Sequence, residues 1–219
     1  MNKTIDFSAK ELFIFDLDGT LLDTKKDIVL AVNHAVSKCG IPPKSESEIE
    51  NLIASGTMTL IKDTLDSDKH FDEAFGHFSQ YYQEHMFDHT APYKGVENLL
   101  ENLSHKTLVV LSNKRERFCK LLLEGLKLIG LFEMVVGGDT VAHKKPHPAP
   151  LLHILENLNI APEQAVMIGD SPLDILAAKA ARVQSIGLLD GFTSRKTMLE
   201  QDDADLLIPH LVDLIDLVS

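Results

Sequence analysis

From Val96 onward the chain alternates between two kinds of segment, and this alternation most limits the fold. Short apolar runs, Thr107–Leu111, Met134–Val136, Ala165–Ile168, Val183–Ile186 and Leu206–Ile208, read as strands. Between and around them Val96–Leu103, Glu116–Ile129, Pro148–Leu158, Asp174–Ala181, Arg195–Glu200 and Leu211–Val218 read as helices, with Pro148 suited to a first helical turn. Strands apolar on both faces lie inside a sheet covered on both sides, and strand–helix alternation makes that sheet mainly parallel. Leu12–Phe15 adds one more buried strand near the start, and it ends abruptly in Asp16. The expectation is a Rossmann-like α/β core with helices on both faces.

The stretch between the first strand and this alternation is different. Ile28, Val29, Val32 and Val36 recur at helical spacing, and Gly40-Ile41-Pro42-Pro43 stops that helix. From Ser45 to His89 no strand run occurs, while Phe71, Phe75, Phe78, Tyr82 and Met86 form a broad helical stripe. This stretch therefore reads as an all-helical insert, which a linker at Thr90–Gly95 closes. A chain of 219 residues, 44% of them apolar, is long enough for one core domain and a modest second unit.

Composition excludes some functions. A net charge of −12 argues against a broad nucleic-acid surface, though not against a small phosphorylated ligand, which needs only local positive charge and a metal. No apolar run approaches the roughly 20 residues of a membrane-spanning helix, and MNKTIDFSAK does not resemble a signal peptide. The two cysteines, Cys39 and Cys119, lack metal-site spacing. A reduced, cytoplasmic setting is expected.

Sites in parallel sheets lie at the C-terminal ends of strands. Three polar segments fall there: Asp16-Leu17-Asp18-Gly19-Thr20, Ser112-Asn113-Lys114 and Gly169-Asp170-Ser171-Pro172-Leu173-Asp174. A fourth, Lys144-Lys145-Pro146, precedes the Pro148 helix. Asp16, Asp18 and Asp170 crowded together demand a cation or raised pKa values, and oxygen ligands suit Mg2+. Lys145, the Ser112 hydroxyl and backbone N–H groups near Gly19 and Asn113 would offset the charge of a phosphoryl group. Taken singly, each segment also reads as a turn, a helix cap or solvated surface; the combination carries the chemistry.

FDLDGTLLDT, VVLSNK, KKPHPAPLL and GDSPLDILAAKAA resemble, in order and separation, the four motifs of haloacid dehalogenase-like hydrolases. The likeness covers nearly the whole chain and is greatest to the phosphoglycolate phosphatase-like branch, which Gly137-Gly138-Asp139 and Pro92-Tyr93-Lys94-Gly95-Val96 also resemble. The resemblance implies that Asp16 attacks phosphorus and that Asp18 protonates the leaving oxygen, then activates water. Thr20 would order the loop, Ser112 and Asn113 would contact phosphoryl oxygens, and Lys145 would pair with Asp16 and the phosphate. Mg2+ would be held by Asp16, the Asp18 backbone carbonyl and Asp170, with Asp174 fixing a metal-bound water or its neighbours. Residues 22–91 would be a helical cap that closes over the site, and 1–21 with 92–219 the α/β catalytic core. The cap turn Ile53-Ala54-Ser55-Gly56-Thr57-Met58 departs from the pattern of close phosphoglycolate or pyrophosphate phosphatases, and Thr57 and Lys62 are the candidate cap contacts. Ala181-Arg182 stands where many relatives have Ala-Gly.

2-Phosphoglycolate is the first expected substrate; pyrophosphate, a nucleotide or a sugar phosphate follow. A phosphosugar mutase would keep Asp16 and Asp18 but exclude water. Met58 and Lys62 share a spacing with phosphonoacetaldehyde hydrolases, whose cap lysine forms an imine, but those enzymes usually have Ala at the position of Asp18. A non-catalytic binding protein is the remaining alternative. No oligomerisation signal is evident.

Overall fold

The computed structural model describes residues 5–65, 68–201 and 203–218, so Met1–Thr4 of the N-terminal stretch lie outside it. The core is a six-stranded parallel sheet. Its strands are β1 (Leu12–Phe15), β4 (Thr107–Leu111), β5 (Met134–Val136), β6 (Ala165–Gly169), β7 (Gln184–Leu188) and β8 (Leu206–Ile208), in spatial order β5-β4-β1-β6-β7-β8. β1 sits between β4 and β6, with Phe15 level with Val110 and Ile168. The order reverses around β1, which opens a crevice at the C-terminal strand ends.

Side chains alternate across β1, and each face has its own core. Phe13 and Phe15 pack with residues of α5 (Val96–Asn102), α6 (Glu116–Gly125) and α10 (Leu214–Val218). Leu12 and Ile14 pack on the other face with α7 (Ala149–Leu158) and α8 (Pro172–Ala181). A short α9 (Arg195–Leu199) lies against β7, with Met198 buried beside Ile175 and Leu189. Among the described residues no helix is long and apolar enough to cross a membrane.

The insert holds α1 (Lys25–Lys38), α2 (Glu46–Ile53), α3 (Thr57–Thr64) and α4 (Phe71–His85). Its ends form a two-strand antiparallel ribbon, β2 (Leu22–Asp23) on β3 (Ala91–Pro92). Asp27, buried in the first turn of α1, ties the returning chain: its carboxylate accepts from the His89 and Thr90 backbone N–H groups and from the Thr90 hydroxyl at 2.7 Å. The cap core merges with the sheet core, because Phe118 of α6 stands edge-on to Phe78 and Tyr82 of α4.

Helix ends differ from expectation in ways with physical causes. The helix expected to run to Ile129 stops at Gly125, and Lys127 two residues on takes a left-handed conformation with φ 60°. The last helix of the GDSPLDILAAKAA segment starts earlier than Asp174, at Pro172, because Ser171 caps it and proline is suited to the first turn. Arg182 adopts at its end the left-handed geometry that glycine takes more readily, with φ 61°.

Candidate active site

Four loops meet above β1. Asp16 follows β1 directly and is 5% exposed. Its Oδ1 accepts from the Leu17 N–H at 2.7 Å and lies 3.1 Å from Lys145 Nζ. Asp170 follows β6; its Oδ1 accepts from the Thr20 hydroxyl at 3.0 Å and its Oδ2 from the Phe192 N–H at 2.7 Å. Gly19 allows this approach: with φ 82°, a Cβ there would lie 2.3 Å from Asp170 Oδ2. Asp174 sits at the third position of α8, where its Oδ2 accepts from the Ser171 N–H and hydroxyl. Its Oδ1 accepts from Lys145 at 2.5 Å. Lys145 also donates to the Leu111 carbonyl at 2.9 Å. The buried ammonium therefore bridges β4, Asp16 and α8 from the loop before α7, and the Lys145–Pro146 peptide is cis.

Carboxylate oxygens of Asp16, Asp170 and Asp174 lie within 4.8 Å of one another, and all three residues are buried. One lysine among three carboxylates leaves surplus negative charge. Burial pushes the Asp16 carboxyl up to about 8, with Lys145 opposing and Asp174, Asp170 and Asp18 adding to it. Burial and Asp174 push Asp170 up to about 6. For Lys145 burial works against the charge, but Asp16 and Asp174 more than offset it and hold the ammonium above its usual range. Asp16 and Asp170 gain proton affinity chiefly through burial, with neighbouring carboxylates adding to it. A divalent cation fits the cluster: the donors are hard oxygens, and the surplus charge favours it.

Asp18 does not share this cluster through its carboxylate. Lys114 Nζ donates to both its oxygens, at 2.9 and 2.8 Å, and the Thr24 hydroxyl donates to Oδ1 at 2.6 Å. Lys114 is 3% exposed and lies 5.0 Å from the centre of the Tyr82 ring. Burial works against its charge too, but Asp18 and Tyr82 outweigh it and hold the ammonium above its usual range. Like-charge crowding was the environment expected for Asp18; a buried cation is what it meets.

Ser112 ends β4 and is 3% exposed; its Oγ accepts from the Lys114 N–H at 3.3 Å. The Asn113 side chain is already committed. Its amide donates to the Ala54 and Lys145 carbonyls, both at 3.0 Å, and its buried Oδ1 has no partner. Asn113 thus ties the cap turn to the Lys145 loop. Gly56, with φ 86°, is part of the same contact, since a Cβ there would lie 2.4 Å from the Asn113 carbonyl oxygen. Lys144 donates to the Ser55 carbonyl and to the Thr59 hydroxyl, so the cap is closed on the core.

Of the two candidate cap contacts, Thr57 is buried at the start of α3, behind this turn. Lys62 is exposed and lines a surface cavity with Met58, Thr59, Phe71 and Asp72, a cavity that includes none of the four core loops. A roomier cavity of about 460 Å3 borders Gly19 and Thr20, with Tyr93, Lys94, Asp190 and His210 among its lining, but none of the carboxylates of the cluster reaches it. Lys114, Thr24, Tyr82 and Lys144 have no catalytic or binding role in the reading from sequence, although Lys114 and Lys144 each adjoin a residue that has one. Cys39 likewise meets His70 and Glu73, with ligand atoms within 4.8 Å, a grouping its spacing in sequence does not reveal.

The model of the haloacid dehalogenase-like hydrolase family matches residues 13–188. A phosphoglycolate phosphatase of Colwellia psychrerythraea is 40% identical over 194 residues, covering 84% of this chain and 86% of its own length. A phosphoglycolate phosphatase of Aquifex aeolicus is 35% identical over 210 residues, covering 95% and 96%. Among solved structures, a predicted phosphoglycolate phosphatase from Haemophilus somnus superposes with a TM-score of 0.91 at 27% identity, covering 96% of this chain and 99% of that one. With the fold, the buried carboxylates and these likenesses in agreement, the chain belongs to the haloacid dehalogenase-like hydrolases, in their phosphoglycolate phosphatase-like branch, and is a phosphatase.

Proposed function

We propose that the protein hydrolyses the phosphate ester of a small metabolite, with Mg2+, and that 2-phosphoglycolate is its preferred substrate. The observation that carries the chemistry is Asp16: a buried carboxylate at a strand end, 3.1 Å from the Lys145 ammonium and gathered with Asp170 and Asp174. Its preference for 2-phosphoglycolate rests on the relatives that carry that name. The residues to hold Mg2+ are Asp16, Asp170 and the Asp18 backbone carbonyl, with Asp174 behind them. Bound there, the ion supplies positive charge to the phosphoryl oxygens.

Asp16, kept ionised by Lys145 and that charge, attacks phosphorus and carries the phosphoryl group as an acyl phosphate. Lys145 and the Ser112 hydroxyl stabilise the charge on the transferred group. A contact from Asn113 falls to its backbone N–H, since its amide holds two carbonyls. Asp18 gives a proton to the leaving oxygen and later takes one from water. Thr20 orders Asp170 through its hydroxyl. The closed cap keeps bulk water and large polymers away. An imine-forming cap lysine has no support here, because Lys62 is exposed and lies apart from the core loops.

The test is phosphate release with Mg2+ across 2-phosphoglycolate, pyrophosphate, nucleoside monophosphates and sugar phosphates. A kcat/KM at least about 100-fold above the rest, roughly 3 kcal/mol of selective transition-state binding, names the substrate. Turnover that persists in D16N overturns the mechanism. Preference for another phosphate ester overturns the substrate, and dependence on a sugar bisphosphate would make the enzyme a mutase. The localisation proposed is cytoplasmic.

A further inference from the structure

Next to Asp18 the closed cap buries an ammonium and a phenol side by side. The Tyr82 hydroxyl is fully buried and has no hydrogen-bond partner. Its ring lies 5.0 Å from the Lys114 ammonium. An ammonium has three N–H donors, and Lys114 gives two to Asp18. The third N–H of Lys114 faces the Tyr82 phenol, whose oxygen can accept from it, so the phenol O–H is the donor left without an acceptor, in a region that solvent does not reach. A buried polar group without a partner is rare and costly, and the phenol and the ammonium here are held in place. Phe118 packs edge-on against the Tyr82 ring at 5.3 Å, and the Lys114 carbonyl is fixed by the Gly138 N–H at 2.8 Å.

Position makes this more than a packing defect. Asp18 is the residue assigned to the leaving oxygen, so whatever surrounds its carboxylate under the cap surrounds the leaving group. As it stands, Asp18 is held by Lys114 and Thr24 and is not on a leaving oxygen. To reach one it must let go of the ammonium. A buried ammonium that has lost its carboxylate needs another anion. One positive charge and two donors match one negative charge spread over two oxygens.

We propose that Lys114 and Tyr82 form the leaving-group subsite and that it takes a carboxylate carried by the leaving group, close to the ester oxygen. This rests on the phosphatase reading of Asp16 and Asp18, and gives that reading its specificity. The recognition comes from the loop after β4 and from α4, not from the turn at Ile53–Met58. Tyr82 belongs to the cap and Lys114 to the core, so the carboxylate bridges the two and favours the closed form.

The experiment compares kcat/KM for 2-phosphoglycolate with that for 2-hydroxyethyl phosphate, which has CH2OH in place of the carboxylate, in wild type, K114M and Y82F at saturating Mg2+. The expected wild-type ratio is at least about 100, because a site built for a polar group rejects the analogue that lacks it. K114M should lower that ratio by about 30-fold and Y82F by about 5-fold, in proportion to a charged and a neutral hydrogen bond. Y82F removes a single oxygen, so it decides the matter alone if K114M does not fold. A wild-type ratio near one, with both esters turned over, overturns the subsite and leaves the phosphatase standing. So does an equal loss on both esters in the variants, which would make Lys114 and Tyr82 act only through Asp18. Wild type that hydrolyses neither ester, nor any other phosphate ester, sinks the phosphatase reading and the subsite with it.

Discussion

At the scale of single residues, the surplus negative charge around Asp16 makes metal binding depend on pH. Without metal, the Asp16 carboxyl is raised to about 8 and that of Asp170 to about 6, with burial the largest cause in each. Mg2+ binds the ionised carboxylates and must displace those protons. Its apparent affinity should therefore climb as pH rises from about 6 to about 8, by up to roughly tenfold per unit for each proton released, and level off above. Calorimetry in buffers of different ionisation enthalpy would show the protons; an affinity flat over that range would contradict the charge balance described. Folding responds to the same charges. A carboxyl whose pKa is raised in the folded state stabilises most when protonated, so its contribution is present at low pH and is lost as pH rises towards the folded value. The metal-free protein should lose thermal stability between about pH 4 and pH 8, and excess Mg2+ should flatten that slope. Asp16, Asp170 and Lys145 were legible in the sequence because each adjoins a strand end or a proline-marked loop. Lys114 was not, because its meaning depends on Tyr82, which is close only in space.

Among the elements, the parallel strands were the most legible, since a strand buried on both faces must be apolar throughout. Helix ends were less so, because they are decided by backbone conformation at one residue. Arg182 is such a case: a left-handed conformation costs a non-glycine residue about 1–2 kcal/mol. R182G should stabilise the protein by about 0.5–1 kcal/mol after the greater entropy glycine loses on folding, measured by urea denaturation, with kcat unchanged because α8 carries Asp174 at its other end. Gly56 is the opposite case. Its φ of 86° and ψ of 154° suit glycine alone, and any Cβ meets the Asn113 carbonyl. G56A should cost about 1–3 kcal/mol of local strain and lower kcat/KM more than it lowers global stability, since the strain falls on cap closure. Equal activity in G56A would show that the turn closes some other way. The two-residue ribbon of β2 and β3 was invisible to periodicity, which needs more than two positions to register.

For the whole molecule, among the described residues the cap is held by polar contacts on one side, at Ala54, Ser55 and Thr59, and on the other along α4, where Phe118 stands edge-on to Phe78 and Tyr82, Arg115 lies over the Phe75 ring and Arg117 donates to Gln83. A substrate reaches the buried carboxylates only when these part. Vanadate with Mg2+, which resembles the phosphoryl group in transfer, should raise amide hydrogen-exchange protection in α3 and α4 while leaving β1 and β4 as they were. Protection that changes equally in cap and sheet would mean general tightening rather than closure. That an all-helical insert interrupts a parallel core was legible from the change in periodicity; that it covers the site was implied by the family resemblance. Which cap residues lie near the core loops was not legible, because helical spacing marks the apolar stripe but not what it packs on: Tyr82, read only as part of that stripe, lies beside Lys114, and Lys62 lines a separate surface cavity.

The ribbon β2–β3 has one more consequence. It brings the outgoing and returning chain side by side, so an insertion of any length enters and leaves the host at one spot. The sheet needs no register change to accept it and would need none to lose it. Mutation, duplication or replacement of that module can therefore proceed while the carboxylates and Lys145 stay where β1, β4 and β6 put them. In such an architecture, the cap's share in choosing the substrate and the capacity to cleave it are inherited separately.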